Sequence, residues 1–260
     1  MPMTYDRYLA LDELLSAQRP QSSPEEHDEL LFIIIHQAYE LWFKLLLHEL
    51  AKVRADLSGG ELWGAVHTLK RCRTVMKTLV GQLDILETMT PMSFLSFRNR
   101  LDTASGFQSV QFRELEFVLG YRSPQRAAIL AEGTPGRARL ERLLGEPSVY
   151  DAFYRFLRDQ GFAVPDDLLG RDLAEPVAPD ERFQDALLAA YRERPDLAIL
   201  FELMTDLDEG LQEWRYRHVK MVERTIGDRV GTGGSPGVAF LRGTLFKPVF
   251  PDLWAIRNRL

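Results

Sequence analysis

From Leu200 the apolar positions step through Leu203, Leu207, Leu211, Trp214, His218 and Met221 in alternating threes and fours. That spacing keeps side chains on one face of an α-helix. A stripe this long can be buried only against other elements of similar length, so the chain is predicted to be built by packing helix on helix. One position breaks the pattern chemically. His218 stands in the seam where a leucine is expected, which places an imidazole among apolar neighbours.

The rest of the chain reads the same way. Ser23-Pro24-Glu25-Glu26 has the form of a helix start, with Ser23 as N-cap, Pro24 at the first helical position and Glu26 completing a capping box. A helix from there to about Ala55 is broken by Gly59-Gly60, and a second amphipathic segment runs from about Glu61 to Thr88. Thr90-Pro91 opens a short helix through Arg100; a polar break at 102–106 precedes a helical stretch to about Leu119, and shorter helices fill 124–160. Residues 164–180 hold Pro165, Pro176 and Pro179 among acidic residues and read as a loop. The long helix ends at Gly231-Thr232-Gly233-Gly234-Ser235-Pro236-Gly237, and a final segment spans about Pro251 to Arg257. There is no internal repeat and no alternating strand pattern. The predicted class is all-α, a helical bundle.

Composition narrows the function classes. A net charge of -6 over 260 residues argues against a nucleic-acid partner, which calls for a concentrated basic face. The longest apolar run, near Leu30 to Ile35, is far short of the roughly 20 residues of a membrane span. The N-terminus lacks the charged-then-apolar layout of a signal peptide. Cys72 is the single cysteine, so neither an internal disulfide nor a cysteine-held zinc is available, and a cytoplasmic setting is expected.

Several residues could carry chemistry. His218 is either a hydrogen-bonded core histidine or a ligand. The chain has five histidines (His27, His36, His48, His67 and His218), with no His-x-x-x-His or Glu-x-x-His pair on one helix face. A protein-held zinc or non-haem iron wants three or four ligands. A single buried histidine fits better with haem, which brings four nitrogens of its own, His218 being the proximal ligand. In Phe32-Ile33-Ile34-Ile35-His36, Phe32 and His36 lie one turn apart on a helix too apolar to face water. His36 is either a core histidine satisfied by Gln37 and Glu40 or the catalytic candidate, a hydrogen-bond acceptor or base facing a substrate N–H. Arg98 follows Phe94 by one turn and either pairs with Asp102 on the surface or clamps a carboxylate through its fork. The 231–237 loop lacks the Lys-Ser/Thr pair of a P-loop, but its glycines and Thr232 could form a small anion nest or a mobile loop. Ser105-Gly106-Phe107-Gln108-Ser109-Val110-Gln111-Phe112-Arg113 is by itself a loop-to-helix junction.

Taken together these stretches resemble the tryptophan 2,3-dioxygenase family over nearly the whole chain. The resemblance rests on Thr4 to Leu9, Leu14 to Gln18, Phe32 to Lys44, Phe94 to Arg98, Ser105 to Arg113, His218, Gly231 to Ser235, and Phe250-Pro251-Asp252-Leu253-Trp254. It implies one all-helical domain over 1–260, with haem and substrate bound between helices. The implied reaction is insertion of both atoms of O2 across the indole C2–C3 bond of L-tryptophan, giving N-formyl-L-kynurenine, the first step of the kynurenine pathway. By resemblance His218 ligates the iron of one haem b per subunit, Ser105 and Gly106 border it, and His36 meets the indole N–H. Phe32 packs on the indole with Ile33, Ile34, Ile35 and Phe94 in the substrate-binding stretches, Arg98 clamps the carboxylate and Thr232 contacts the amino-acid end. The family also implies a homotetramer whose N-terminal segment (about 1–20) completes a neighbour's pocket through Tyr5, Tyr8 and Leu9.

Two positions depart from the family pattern. Phe94 stands where some members carry Tyr, removing a pocket hydroxyl, and Pro236 stands where Ser is usual, stiffening the glycine loop. Two other readings stay open on sequence grounds: a haem monooxygenase acting on a substituted tryptophan, and a helical binding protein that has kept the scaffold without the cofactor.

Overall fold

A computed structural model describes residues 2–227, 229 and 237–260. Fourteen α-helices are present among them: α1 (Tyr5–Leu9), α2 (Leu11–Leu15), α3 (His27–Ser58), α4 (Leu62–Leu86), α5 (Pro91–Arg98), α6 (Val110–Leu119), α7 (Pro124–Ala127), α8 (Pro135–Leu144), α9 (Val149–Asp159), α10 (Asp166–Leu169), α11 (Glu181–Glu193), α12 (Pro195–Ile226), α13 (Val238–Arg242) and α14 (Pro251–Ala255). Short 3-10 turns cover Gly106–Gln108 and Ile256–Asn258, and no strand occurs among the described residues. The all-α class expected from periodicity is the class observed.

Three long helices set the frame. α4 packs along both α3 and α12, while α6 and α9 cover further stretches of α3. The inward row of α4 is Leu69, Cys72, Met76, Leu79 and Leu83, spaced by three and four and buried throughout. Burying each such side chain contributes about 1.5–3 kcal/mol. At Gly210 on α12 a Cβ would lie 3.2 Å from the Met76 Cβ, so the glycine permits the close approach of α12 to α4 there.

Local chemistry explains where boundaries differ from expectation. The Ser23-Pro24 start is not used: α3 begins at His27, and its N-cap Glu26 makes no side-chain cap bond. The buried Glu29 carboxylate instead accepts from the backbone N–H groups of Gln21 (2.7 Å) and Ser22 (3.0 Å) and from the Ser22 hydroxyl. The Ser22 Oγ in turn accepts from the Glu26 N–H at 2.9 Å. A charged acceptor outcompetes a serine cap because hydrogen bonds to it are stronger. Thr90 caps α5 as expected, accepting from the Ser93 N–H with Pro91 in the first turn, although α5 stops at Arg98. The 164–180 segment is mostly irregular but includes α10, and α12 starts at Pro195, five residues before the periodic stripe. α11, capped by Asp180, had no sequence prediction.

α3 is the one helix among the described residues long and apolar enough to cross a membrane by length and composition alone. It reaches that hydropathy by spreading apolar residues around its circumference between polar ones such as Gln37, Glu40 and Lys44. One face sits in the core, while Leu30, Ile34 and Leu41 are exposed. α1 and α2 bury no residue of their own, and the Gln18 amide ties them to α3 by donating to Gln37 at 2.7 Å.

The C-terminal segment is strapped down by two buried carboxylates. Asp208 on α12 accepts from the backbone N–H groups of Val249 and Phe250 and from Trp254 Nε1, each at 3.0 Å. Asp252 accepts from the Asp180 N–H (2.8 Å), Gln184 Nε2 (3.0 Å) and the Tyr150 hydroxyl (3.0 Å), linking α14 to α11 and α9. Replacing Asp208 by alanine leaves those donors without an acceptor in a dry site, and each unmade bond costs about 1–3 kcal/mol. Asp208→Ala is therefore expected to lower unfolding free energy by about 3 kcal/mol or more in urea melts. A loss under about 1 kcal/mol would show that the strap is not a structural necessity.

Candidate active site

One cavity opens where α3, α5, α6, α12 and α13 meet beside the 106–108 turn. Three helices each contribute two residues one turn apart, which places both on one face. α3 supplies Phe32 and His36, α5 supplies Phe94 and Arg98, and α12 supplies Trp214 and His218. Ser105 and Gly106 also line it. The sequence candidates from four separate stretches thus converge on one space.

The His36 side is aromatic. Its ring lies 4.1 Å from that of Phe32, and Phe32 is 5.7 Å from Phe94 and 5.6 Å from Phe97. His36 Nδ1 is 2.7 Å from the Phe32 carbonyl oxygen. A carbonyl can only accept, so Nδ1 carries the hydrogen and Nε2 of the neutral ring keeps its lone pair. Burial pulls the His36 pKa down; the hydrogen bond to Phe32 and the nearby Glu40 carboxylate oppose it without reversing it. The ring is a neutral acceptor, suited to a substrate N–H.

The His218 side is stacked. The imidazole lies parallel to the Trp214 indole, with centroids 5.0 Å apart and planes 4° from each other. Trp214 is wedged in turn against Phe112, Tyr39 and Phe43. Stacking fixes the plane of His218, since neither ring nitrogen has a hydrogen-bond partner among the described residues. The ring keeps some exposed surface, but the surface faces the cavity. Burial, with the electrostatic influence of His36 and Arg113, lowers its pKa to about 4. A neutral imidazole with an unused lone pair is what a metal-bearing cofactor requires. Among the described residues no group of three His, Cys, Asp or Glu could hold a bare metal ion. The donor set therefore suits a metal that arrives with its own ligands, and haem fits it.

Other candidates lie elsewhere. Ile35 is buried in the core, Ile33 is half-buried and Ile34 is exposed, and none of the three lines the cavity. Tyr5, Tyr8 and Leu9 project from α1 into solvent, away from the cavity of their own chain. Thr232 and Pro236 lie outside the described residues. Two features carried no sequence prediction: the Trp214 stack, for which the spacing to His218 was the available signal, and a buried charge cluster. In that cluster Glu116 accepts from Arg113 at 2.8 Å and from Arg215 at 2.7 Å, with Arg126 3.5 Å away. Arg113, Glu116 and Arg215 all line the cavity. The Arg113–Glu116 spacing of three on one helix was visible in the chain, but Arg215 joins from 99 residues away.

The depressed His218 pKa sets a pH dependence for the apoprotein. In the unfolded chain the ring protonates near its ordinary 6.5, and in the folded chain only near about 4. The unfolded state therefore binds more protons in that window, so stability is lost as pH falls from about 6.5 to about 4. Apoprotein carrying His218→Phe is expected to show a shallower fall in urea-melt stability across the same window. Equal slopes would identify another titrating group.

The chain is similar to known proteins over nearly all of its length. A profile of the tryptophan 2,3-dioxygenase family matches residues 1–134 and 146–260. A tryptophan 2,3-dioxygenase of Anaeromyxobacter sp. (strain K) is 56% identical, covering 99% of this chain and 96% of its own length. Those of Herpetosiphon aurantiacus and Caulobacter vibrioides are 52% and 45% identical, each over 99% of this chain and 98% of the relative. With the match running end to end and the pocket residues gathered in one cavity, this chain belongs to the tryptophan 2,3-dioxygenase family.

Proposed function

We propose that the tryptophan 2,3-dioxygenase activity of this family, the first step of the kynurenine pathway, is carried out in the cavity between the His36 and His218 faces. The family implies a haem cofactor and L-tryptophan and O2 as substrates. The overall change is balanced: both atoms of O2 enter the product as the indole C2–C3 bond breaks, giving N-formyl-L-kynurenine. One observation carries the siting, namely that a neutral imidazole with no hydrogen-bond partner among the described residues and an aromatic, acceptor-bearing wall share the same cavity.

In this reading His218 ligates the iron of one haem b per subunit, and Ser105 and Gly106 border the ring. When bound, the haem supplies the centre that activates O2. The protein's own contribution is positioning. Phe32 and Phe94 stack on the indole, His36 Nε2 accepts the indole N–H, and Arg98 holds the substrate carboxylate with Thr232 near the amino-acid end. The indole N–H can keep its proton while oxygen adds to the ring carbons, so His36 orients the substrate and need not remove a proton. Ile33, Ile34 and Ile35 contribute through the helix that carries Phe32 and His36.

Residues 1–260 act as one helical domain, with the 164–180 loop at its side. The active form is a homotetramer in which the N-terminal segment, about 1–20, reaches a neighbouring pocket through Tyr5, Tyr8 and Leu9. Support for assembly comes from the apolar side chains left exposed on α1, on α2 and along Leu30, Ile34 and Leu41 of α3. A cytoplasmic location fits a chain whose single cysteine is a buried free thiol.

The test is the mass of the product formed from L-tryptophan by haem-loaded, reduced protein under labelled O2. Two labelled oxygens in N-formylkynurenine are expected; a single labelled oxygen would instead mark a monooxygenase. His218→Ala is expected to abolish the spectrum of histidine-ligated haem, while His36→Ala lowers turnover without abolishing it. A normally ligated haem in the His218 variant would overturn the assignment of the ligand. Arg98→Leu is expected to raise KM for L-tryptophan on the order of 10- to 100-fold while leaving tryptamine binding nearly unchanged. An equal effect on both ligands would remove Arg98 from the carboxylate site.

A further inference from the structure

α1 and α2 have little to hold them in their own chain. Each is five residues long and buries nothing, and helices so short are unstable without packing. Their surroundings are apolar side chains left in the open: Met3, Tyr5, Tyr8, Leu9, Leu14 and Leu15 are all exposed. Among the described residues, none of this arm lines the cavity of its own chain. The linker that joins the arm to α3, residues 17–26, is by contrast pinned to α3 at two points.

The first point is an amide pair. Gln37 accepts from Gln18 Nε2 at 2.7 Å and donates to the Ala17 carbonyl at 3.2 Å. Gln18 Nε2 also donates to the Leu14 carbonyl at the end of α2, 3.0 Å away. The second point is Glu29, which is 1% exposed. Every hydrogen bond its carboxylate accepts from a described residue comes from the linker: the N–H groups of Gln21 and Ser22 at 2.7 and 3.0 Å, and the Ser22 hydroxyl. A buried carboxylate stripped of such donors is costly, so Glu29 opposes any lifting of the linker. The spacing leaves almost no slack. Glu29 and Gln37 are eight positions apart on α3, a rise of about 12 Å. The four steps from Gln18 to Ser22 span at most about 14 Å when fully extended. The linker therefore runs nearly taut and antiparallel to α3, with the φ of Pro20 fixed by its ring. A taut base sets the direction in which the arm leaves.

We propose that Glu29 is a positioning residue that acts in trans: by holding the linker taut on α3, it aims the arm at the cavity of a neighbouring copy of this chain. The proposal rests on the reading in which Tyr5, Tyr8 and Leu9 complete a neighbour's pocket. An arm with a fixed base loses less freedom on docking than a floppy one, so the hold on the linker enters the neighbour's affinity for substrate. The rival is action within one chain, since Glu29 lies one turn before Phe32 on α3. Glu29 does not itself line the cavity, and its oxygens are occupied by the linker. Its influence leaves through the arm.

The experiment is complementation between two full-length chains, co-expressed with different tags so that haem-loaded assemblies carrying both can be purified. One chain carries Glu29→Gln and an intact cavity. The other carries His218→Ala, which disables its own cavity but keeps Glu29 and the arm. Glu29→Gln alone is expected to raise KM for L-tryptophan about ten-fold, the worth of one charge-assisted hydrogen bond, with kcat nearly unchanged. In the mixed assembly a class of sites with wild-type KM should reappear, because a partner's arm serves them. Amide exchange at Gln21 and Ser22 should quicken about ten-fold in the variant, while that of α3 beyond Phe32 holds. Ser22→Ala, which removes one donor without touching α3, should shift KM the same way, and it carries the comparison if Glu29→Gln does not fold. A chain lacking residues 2–16 is the control. If the partner rescues that chain but not Glu29→Gln, Glu29 acts within its own chain and this proposal alone falls. An unchanged KM in both variants despite quickened exchange also overturns it. An arm-deleted chain that is unimpaired, or that the partner cannot rescue, defeats the reading of a swapped arm and the proposal with it.

Discussion

The cavity persists because α4 is packed along α3 and α12 at once, holding apart the two helices that carry His36 and His218. Neither long helix can roll inward without unseating Leu69, Cys72, Met76, Leu79 and Leu83, which have no other place to be dry. Interiors packed at crystal-like density resist such movement. Gly210 lets α12 approach α4 closely at one point, while the residues from Trp214 onward turn to the cavity. The strap from Asp208 to the 249–254 segment holds the outer side of α12. A histidine in an apolar seam is thus supported by packing on both sides.

Electrostatics then divides the cavity. Both imidazoles are kept neutral by burial, one oriented by a hydrogen bond to its own helix backbone and the other by a stacked indole. These two devices leave different atoms free. His36 presents an acceptor to the aromatic wall, and His218 presents an unused nitrogen beside a cluster of arginines. The positive charge of Arg113 further disfavours protonation of His218, so the ring stays neutral at neutral pH.

The faces that look unfinished lie on the opposite side of α3 and at the N-terminus. Leu30, Ile34 and Leu41 share the helix that carries the aromatic wall, and α1 and α2 bury nothing within the chain. Apolar surface left exposed near a site is where another subunit finds its gain. A pocket completed by a neighbour would tie substrate binding to assembly.

Periodicity alone determined the helical class and most long elements, because the spacing of apolar side chains on a helix is a local property. The pairs Phe32 with His36 and Phe94 with Arg98 were legible for the same reason, since each lies on one turn of one helix. The start of α3 was not legible, because Glu29 reaches back to Gln21 and Ser22 and displaces the Ser23 cap by a stronger acceptor. The buried charge cluster was equally hidden: Arg113 and Glu116 sit one turn apart, but Arg215 and Arg126 arrive from other helices. The sequence by itself determined which residues could face the same way along each helix. Tertiary structure alone decided which helices share a cavity, which imidazole nitrogen is left free and which buried charges are paired, because burial and pairing depend on neighbours distant in the chain.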